Sequence, residues 1–189
     1  MKPKIPGQFL MTAALLLGAG VAGATTGPNV PAPQNDAALA GRVRNEILMY
    51  HNYGIWDDVN FQIVNGSVVL QGAVTQPYKK ADLGRIAQKV PGVASVTNQL
   101  QVLPLSPMDD RLRLQVARAI YRDPNLSRYG MQALPPIHII VNNGHVTLEG
   151  VVHNDLEKQV AGLRAASTGL SFGPIINHLR VEEPAAKKG

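Results

Sequence analysis

The spacing of hydrophobic residues along the chain changes from every fourth position to every second position, and the same change occurs a second time. Apolar residues recur every four positions from Leu39 to Ile47 and every second position from Val59 to Ile63. The first period places side chains on one face of a helix, and the second places them on one face of a strand. The runs Leu112 to Ile120 and Ile137 to Val141 repeat both periods. The pattern predicts a helix followed by a half-buried strand in each half of the chain.

A ten-residue motif follows each alternating run. Asn-Gly-Ser-Val-Val-Leu-Gln-Gly-Ala-Val begins at Asn65, and Asn-Gly-His-Val-Thr-Leu-Glu-Gly-Val-Val begins at Asn143, 78 residues later. Asn-Gly favours the two positive φ angles of a two-residue hairpin turn, so a second strand is predicted after each first strand. The motif residues interpreted as structural turn or strand positions, and not as ligand contacts, are Asn65, Gly66, Gly72, Asn143, Gly144 and Gly150.

Each copy then ends in a second helix and a third strand. Leu83 to Val90 and Leu156 to Leu163 have helical spacing, whereas Val96 to Val102 and Ile175 to Val181 alternate. We therefore predict an α+β fold of two tandem αββαβ modules, each with two helices packed on one face of a three-stranded sheet.

Polar residues mark the expected helix starts. Asp36 in the first copy and Asp109 or Asp110 in the second precede apolar helical runs and are predicted N-caps. Asn154 and Glu157 have the spacing of a capping box. Asn98 and Asn177 occupy inward positions of the last strands and are expected to bond a turn or a helix end.

The segment before the first module is predicted to be a signal peptide, residues 1–24. Lys2 and Lys4 precede an apolar run of about 13 residues and the small-residue pattern Ala22-Gly23-Ala24. The run is shorter than the roughly 20 residues of a spanning helix, and the mature part has no comparable stretch. A retained N-terminal anchor is the alternative. There is no cysteine, so disulfides and cysteine-linked lipid are both excluded.

The remaining boundaries follow from composition. Residues 25–35 are rich in Pro, Gly and Asn and are predicted to be a disordered linker. The first module is assigned to residues 36–103, the second to residues 109–181, and a flexible tail to residues 182–189. The second copy has a longer loop before its first strand and an added Gly173-Pro174 before its last strand.

The repeated hairpin between two helices, with a final strand of the form V-x-N-x-L-x-V, resembles the BON domain. The resemblance covers nearly all of the chain beyond the predicted signal peptide, and two such domains are similar to the dual-BON periplasmic proteins of osmotically inducible type. The resemblance implies a non-catalytic module that binds phospholipid surfaces and supports envelope integrity under osmotic stress. It also implies periplasmic residence, since attachment as a lipoprotein would need a cysteine.

The residues themselves assemble no catalytic, cofactor or metal site. No serine lies in a G-x-S-x-G context, and Asp57-Asp58 and Asp109-Asp110 are better explained as turn and cap residues. No histidine pair has the spacing of a zinc site on a helix. His138, His145 and His178 are interpreted as solvated strand residues, with convergence on the open face of the second sheet as the alternative. The five histidines are His51, His138, His145, His153 and His178.

Net charge does not favour a nucleic-acid partner. Removing Lys2 and Lys4 from the 18 basic residues leaves 16 against 13 acidic residues, a charge of +3 for the mature chain. Basic and acidic residues are interspersed in both modules, whereas nucleic-acid binding needs basic residues clustered on one face.

The candidate lipid-binding surface lies on the first helix of the second copy and in the following loops. Arg111, Arg118 and Arg122 fall on one helical direction, beside the predicted apolar face. Each loop after a first helix carries aromatic or flexible apolar residues, a composition that membrane interfaces favour. These loop residues are Tyr53, Ile55 and Trp56 in the first copy and Tyr129 and Met131 in the second.

Two hypotheses remain open for the partner. The first is an anionic phospholipid surface bound by the arginines and the loop residues. The second is an envelope protein, a misfolded client or a second copy, bound through the open sheet face or a sheet edge. If Asp110 and Asp123 neutralise the arginines, and if Tyr53, Trp56 and Tyr129 only cover the core, the lipid hypothesis loses its basis.

Overall fold

The computed structural model describes residues 36–182, so the predicted signal peptide, the linker and residues 183–189 lie outside the described part. The first module contains α1 (Asp36–Leu48), β1 (Asp58–Val64), β2 (Ser67–Val74), α2 (Pro77–Lys89), β3 (Ser95–Asn98) and β4 (Gln101–Val102). The second contains α3 (Pro107–Tyr121), α4 (Ser127–Gly130), β5 (Ile137–Asn142), β6 (His145–Val152), α5 (Asp155–Ala166), β7 (Ile176–Asn177) and β8 (Arg180–Val181).

Both modules have the predicted α+β architecture, with the hairpin strand at the centre of the sheet. β2 pairs with β1 in antiparallel fashion and with β3 and β4 in parallel fashion, and β6 pairs in the same way with β5, β7 and β8. The predicted third strand therefore occurs as two short pieces in each module. α4, inside the longer loop of the second copy, was not predicted.

An inward asparagine accounts for the break in the third strand. The Asn98 side chain donates to the carbonyl of Lys80 on α2 at 2.7 Å and accepts from the Leu100 amide at 3.2 Å. Asn177 makes the same pair of bonds to Lys158 and Leu179, at 2.8 and 3.2 Å. These bonds confirm that the inward asparagines bond a helix. The bond from the leucine amide to the asparagine turns the strand, and the side chains of Leu100 and Leu179 are buried in the core.

The first acidic residue of each copy holds the hairpin turn, which corrects its predicted role as an N-cap. The Asp36 carboxylate accepts from the amides of Asn65 and Gly66, and Asp109 accepts from those of Asn143 and Gly144 at 2.9 and 2.8 Å. Both asparagines have φ of 50°, so the amides of the turn point toward the helix. The N-cap of α3 is Ser106, whose hydroxyl accepts from the Asp109 amide.

Each module has its own apolar core between the helices and the sheet. In the first, Leu39, Val43 and Ile47 of α1 pack against β2 and α2. In the second, Leu112, Val116 and Ile120 of α3 pack in the same manner against β5, β6 and α5. These are the apolar positions predicted from the helical period.

The two modules contact each other through the loop between α1 and β1. The amide of Ile139 on β5 donates to the carbonyl of Ile55 at 2.7 Å, and Trp56 packs against the core of the second module. Nδ1 of His138 lies 2.6 Å from the Asp57 carbonyl oxygen. The loop of the first module therefore covers the outer edge of β5.

Candidate functional site

The predicted arginine stripe lies on the outer face of α3. Successive helical residues are about 100° apart, so Arg111, Arg118 and Arg122 point within about 20° of one direction. Val116, at the centre of the buried face, points roughly opposite. All three arginines are exposed. The stripe therefore faces away from the sheet, and not beside the apolar face as the sequence suggested.

No acidic residue between 36 and 182 forms an ion pair with an arginine of the stripe. The two carboxylates expected to do so are engaged elsewhere: Asp110 pairs with Arg113, and Asp123 pairs with Arg164 at 2.6 Å. The Asn125 backbone amide, with help from Arg164, holds the pKa of Asp123 below its ordinary value. The three arginines thus present their full charge to solvent.

Exposed apolar side chains also occur on α3 and on the neighbouring α5. Leu114 and Met108 are exposed on α3. On the neighbouring α5, Leu156 and Leu163 are seven residues apart, hence in nearly the same direction, and they are 61% and 69% exposed. The helical spacing of the two α5 leucines suggested core positions, because spacing alone does not tell which face of the helix meets the sheet.

The first module lacks this combination. Matching Asp36 with Asp109, which hold equivalent turns, places Ala38, Asn45 and Met49 where the second module has its three arginines. The α2 counterparts of Leu156 and Leu163 are Tyr78 and Arg85, by the match of Lys80 with Lys158, whose carbonyls accept from equivalent asparagines. The cationic and apolar surface thus belongs to the second module.

The two predicted lipid-contacting residues in the loop of the second module differ in exposure. Tyr129 is buried, and its hydroxyl donates to Glu157 at 2.6 Å and accepts from the His153 amide at 2.9 Å. Burial raises the pKa of Glu157, but the bonds from Tyr129 and His153 and the charge of Arg128 outweigh it and hold that pKa below its ordinary value. Met131, two residues further on, is 81% exposed.

The corresponding loop of the first module lies in the contact between modules. Tyr53 stacks against His138, with ring centroids 5.4 Å apart, and Ile55 and Trp56 cover the edge of β5 and the second core. These three residues are half-buried in this contact, whereas Tyr129 is buried. Of the predicted lipid-binding residues, the three arginines and Met131 are the exposed ones.

Of the three strand histidines, His138 and His178 line a common cleft between the modules, whereas His145 does not. His138, predicted to be solvated, is buried by the loop of the first module, and this burial lowers its pKa. His178 bonds Glu149 at 2.7 Å, and His145 lies at the hairpin turn. Among residues 36–182, no group of three or more histidine or acidic residues is placed to hold a metal ion.

A cleft of about 730 Å³ between the modules could not be foreseen from the sequence, because it depends on how the modules pack. Asp58 and Tyr53 of the first module line it together with His138, Glu149 and Arg180 of the second. Burial, reinforced by the charge of Glu149, raises the pKa of Asp58 to about 6. The charges of Arg180 and His178 oppose this rise.

The chain belongs to the BON domain family. Two copies of the BON domain match, over residues 35–104 and 109–183, in agreement with the resemblance of the repeated hairpins. BON domains are non-catalytic, envelope-associated binding domains. No curated protein is similar enough in sequence to count as a relative.

Similar solved structures include CdsD, a structural protein of the type III secretion system of Chlamydia trachomatis, with 16% identity and a TM-score of 0.29. A structure of the C-terminal domain of CdsD has 16% identity and a TM-score of 0.28. The matches cover 77% and 76% of this chain and 61% and 64% of those chains. This chain thus spans less than two thirds of their length.

No helix between residues 36 and 182 has the length and apolar character needed to cross a membrane.

Proposed function

We propose that this protein is a non-catalytic periplasmic protein that binds an anionic phospholipid surface through the outer helical face of its second module. Arg111, Arg118 and Arg122 would contact lipid headgroups, and Leu156 and Leu163 would enter the interface beside them. The binding would serve envelope integrity or tolerance of osmotic stress. Periplasmic residence rests on the predicted signal peptide of residues 1–24 and on the family.

One observation carries the proposal: three exposed arginines share a direction on α3 and have no acidic partner within residues 36–182. A cation near an anionic membrane contributes about 1 kcal/mol, and neighbouring apolar side chains add the free energy of leaving water. Three such cations, together with exposed leucines, favour weak and reversible binding of the protein to the membrane. The first module has no equivalent surface and would act as a support.

The second candidate partner is a protein bound through a sheet. The open faces of the two sheets partly meet: Gln71 and Gln99 of the first module and Ile140 and Thr147 of the second line one shared hollow. Their faces are thus less available to another protein than the sequence suggested. A sheet edge remains as the surface for such a partner.

Cosedimentation with vesicles tests the lipid proposal. Residues 25–189 would be mixed with vesicles of phosphatidylcholine alone or with phosphatidylglycerol added. The proposal expects binding to the anionic vesicles only, weakening as salt rises, because exposed charges are screened within about 10 Å at 0.1 M ionic strength. It also expects loss of that binding when Arg111, Arg118 and Arg122 are all replaced by alanine.

A matched variant separates local charge from total charge. Arg42, Lys80 and Lys89 of the first module make no ion pair with residues 36–182, and replacing them by alanine removes the same net charge. This variant should keep most of the binding. Equal retention by both triple variants would exclude the arginine stripe as the lipid contact.

A further inference from the structure

The outer edges of the two sheets differ in a way that their shared fold does not require. In each antiparallel hairpin, hydrogen-bonded residue pairs alternate with pairs that make no hydrogen bond to each other. Every second residue of the outer strand therefore directs its main-chain N–H and C=O away from the neighbouring strand. On β5 these outward residues are Ile137, Ile139 and Val141. On β1 their counterparts are Val59, Phe61 and Ile63.

The edge of β5 is closed by three hydrogen bonds. The Tyr121 hydroxyl donates to the Ile137 carbonyl at 2.6 Å, and the Arg113 guanidinium donates to the Val141 carbonyl at 2.7 Å. Between them, the Ile139 amide donates to Ile55 of the preceding module. Side chains of the second module and a main-chain segment of the first thus occupy this edge together.

At the edge of β1, the Tyr53 hydroxyl meets the main chain of Val59. Phe61 and Ile63 have no such cap in the described part of the chain. The helix positions that correspond to Arg113 and Tyr121 are occupied by Ala40 and Leu48, whose side chains cannot donate a hydrogen bond. Within residues 36–182, the outward N–H and C=O groups of Phe61 and Ile63 make no hydrogen bond. An uncovered edge is a template for an additional strand.

A groove of about 420 Å³, lined by both polar and apolar side chains, runs beside this edge, between α1 and β1. Its floor is formed by Ala40, Ile47, Phe61 and Ile63, and the two last side chains are only half-buried. Their counterparts Ile139 and Val141 are fully buried. The groove therefore offers both unpaired main-chain groups and partly uncovered apolar side chains.

Charge at the rim indicates what would occupy the groove. Arg44 is exposed at its border and has no acidic partner among residues 36–182. The nearby Asp36 carboxylate already accepts from two turn amides. Arg180 of the second module borders the same groove. An occupant with a carboxylate would satisfy Arg44.

We propose that the β1 edge binds an extended peptide segment of another protein, which adds as a strand along Phe61 and Ile63. Alternate apolar side chains of the peptide would lie in the groove, and an acidic residue would meet Arg44. Strand addition takes affinity from main-chain hydrogen bonds and specificity from alternate side chains. The second module already receives main-chain atoms of another segment at its equivalent edge.

An NMR titration tests the site with a defined probe, the blocked peptide acetyl-Glu-Val-Thr-Ile-Thr-Val-amide, added to residues 25–189. The proposal expects saturable shifts of the Phe61 and Ile63 amides. The same peptide with an N-methyl group on every residue should give no such shifts, because neither of its edges can then donate main-chain hydrogen bonds. Shifts that the methylated peptide reproduces, or that centre elsewhere, would overturn the proposal.

A variant with the caps of the second module provides the matched control. Ala40→Arg with Leu48→Tyr would restore both side-chain donors to the edge, and we expect it to weaken binding about tenfold or more. Equal thermal stability of this variant and the parent would show that the fold is kept. Unchanged binding by the folded variant would contradict the proposal.

Two further outcomes complete the test. Arg44→Glu should favour a peptide in which lysine replaces glutamate, and the absence of any such reversal would exclude Arg44 as the acidic contact. Sedimentation of the parent alone should give a monomer. A dimer that dissociates in the capped variant would assign the edge to a second copy and overturn the peptide proposal.

Discussion

The main-chain amide of Ile139 and the carbonyl of Ile55 are 2.7 Å apart and join the two modules. The bond closes the edge of β5 with atoms of the first module, while Trp56 next to it packs on the core of the second. Each module of this size has a small core of its own, so a shared contact of this kind adds to the stability of both. The two copies are therefore not independent domains on a flexible tether.

Trp56→Ala should destabilise the second module as well as the first. A large aromatic side chain in a core contributes about 3–5 kcal/mol when truncated, and we expect about 2 kcal/mol for this half-buried one. Urea unfolding measures the loss, and faster exchange of the Ile139 amide would locate it. Tyr78→Ala, at an exposed position of α2, should have little effect. Unchanged exchange at Ile139 would show that Trp56 does not hold the module contact.

Replacement of two helical glycines by alanine should change the stability of the protein in opposite directions. A methyl group on Gly41 in α1 would meet nothing within 4 Å, so Gly41→Ala should stabilise the protein by about 0.5–1 kcal/mol. A methyl group on Gly84 in α2 would lie 2.7 Å from the Asn98 side-chain nitrogen, which bonds the Lys80 carbonyl. Gly84→Ala should therefore destabilise despite its better helix propensity. Thermal unfolding measures the melting temperatures of the two variants. Equal changes in melting temperature would show that the contact between residue 84 and Asn98 is unimportant.

Sequence periodicity was sufficient for the αββαβ order because each element has one buried face and a clear period. It was insufficient for Asp36 and Asp109, whose partners lie on turns about 30 residues away in sequence. It also could not reveal the burial of Tyr53, Trp56 and His138, because this depends on the packing of one module on the other. The arginine stripe was visible because three residues of a single helix define it.

Asp57 should be among the least replaceable polar residues of the first module. Its carboxylate is fully buried and accepts from Lys79 at 2.7 Å and from the amide and hydroxyl of Thr75. Asp57→Ala leaves the Lys79 ammonium buried without its partner, and we expect a loss of about 3–5 kcal/mol.

Replacing both partners provides the control for this prediction. Asp57→Ala with Lys79→Met removes the unpaired charge and should recover part of the stability lost in the single variant. Urea unfolding of the single and double variants measures the difference. A double variant no more stable than Asp57→Ala would show that the buried lysine is not the source of the loss.

Asp58 should make the protein less stable above pH 6. Burial, with Glu149 nearby, raises its pKa from 3.8 to about 6, while Arg180 and His178 oppose the shift. Between these two pH values the folded protein binds a proton that the unfolded chain has released, so this contribution to stability falls as pH rises. Asp58→Asn should therefore be more stable than the parent at pH 7.5, by about 1 kcal/mol after allowance for solvent screening.

The difference between Asp58→Asn and the parent should shrink as the pH falls toward 4, where the unfolded chain also binds the proton. Urea unfolding at several pH values follows it, and an NMR titration of the Asp58 carboxyl carbon should have its midpoint near pH 6. A midpoint near 4 would show that the cleft leaves this carboxyl unperturbed.

The orientation of the protein on a lipid surface is the decisive test of membrane binding through α3. Bicelles containing phosphatidylglycerol and a spin-labelled headgroup would broaden the NMR signals of residues close to the membrane. We expect the strongest broadening at Arg111, Leu114 and Arg118 on α3 and at Leu163 on α5, with little at Asn45 on α1 and at the following Met49. Equal broadening of both modules, or none on α3, would contradict membrane binding through α3.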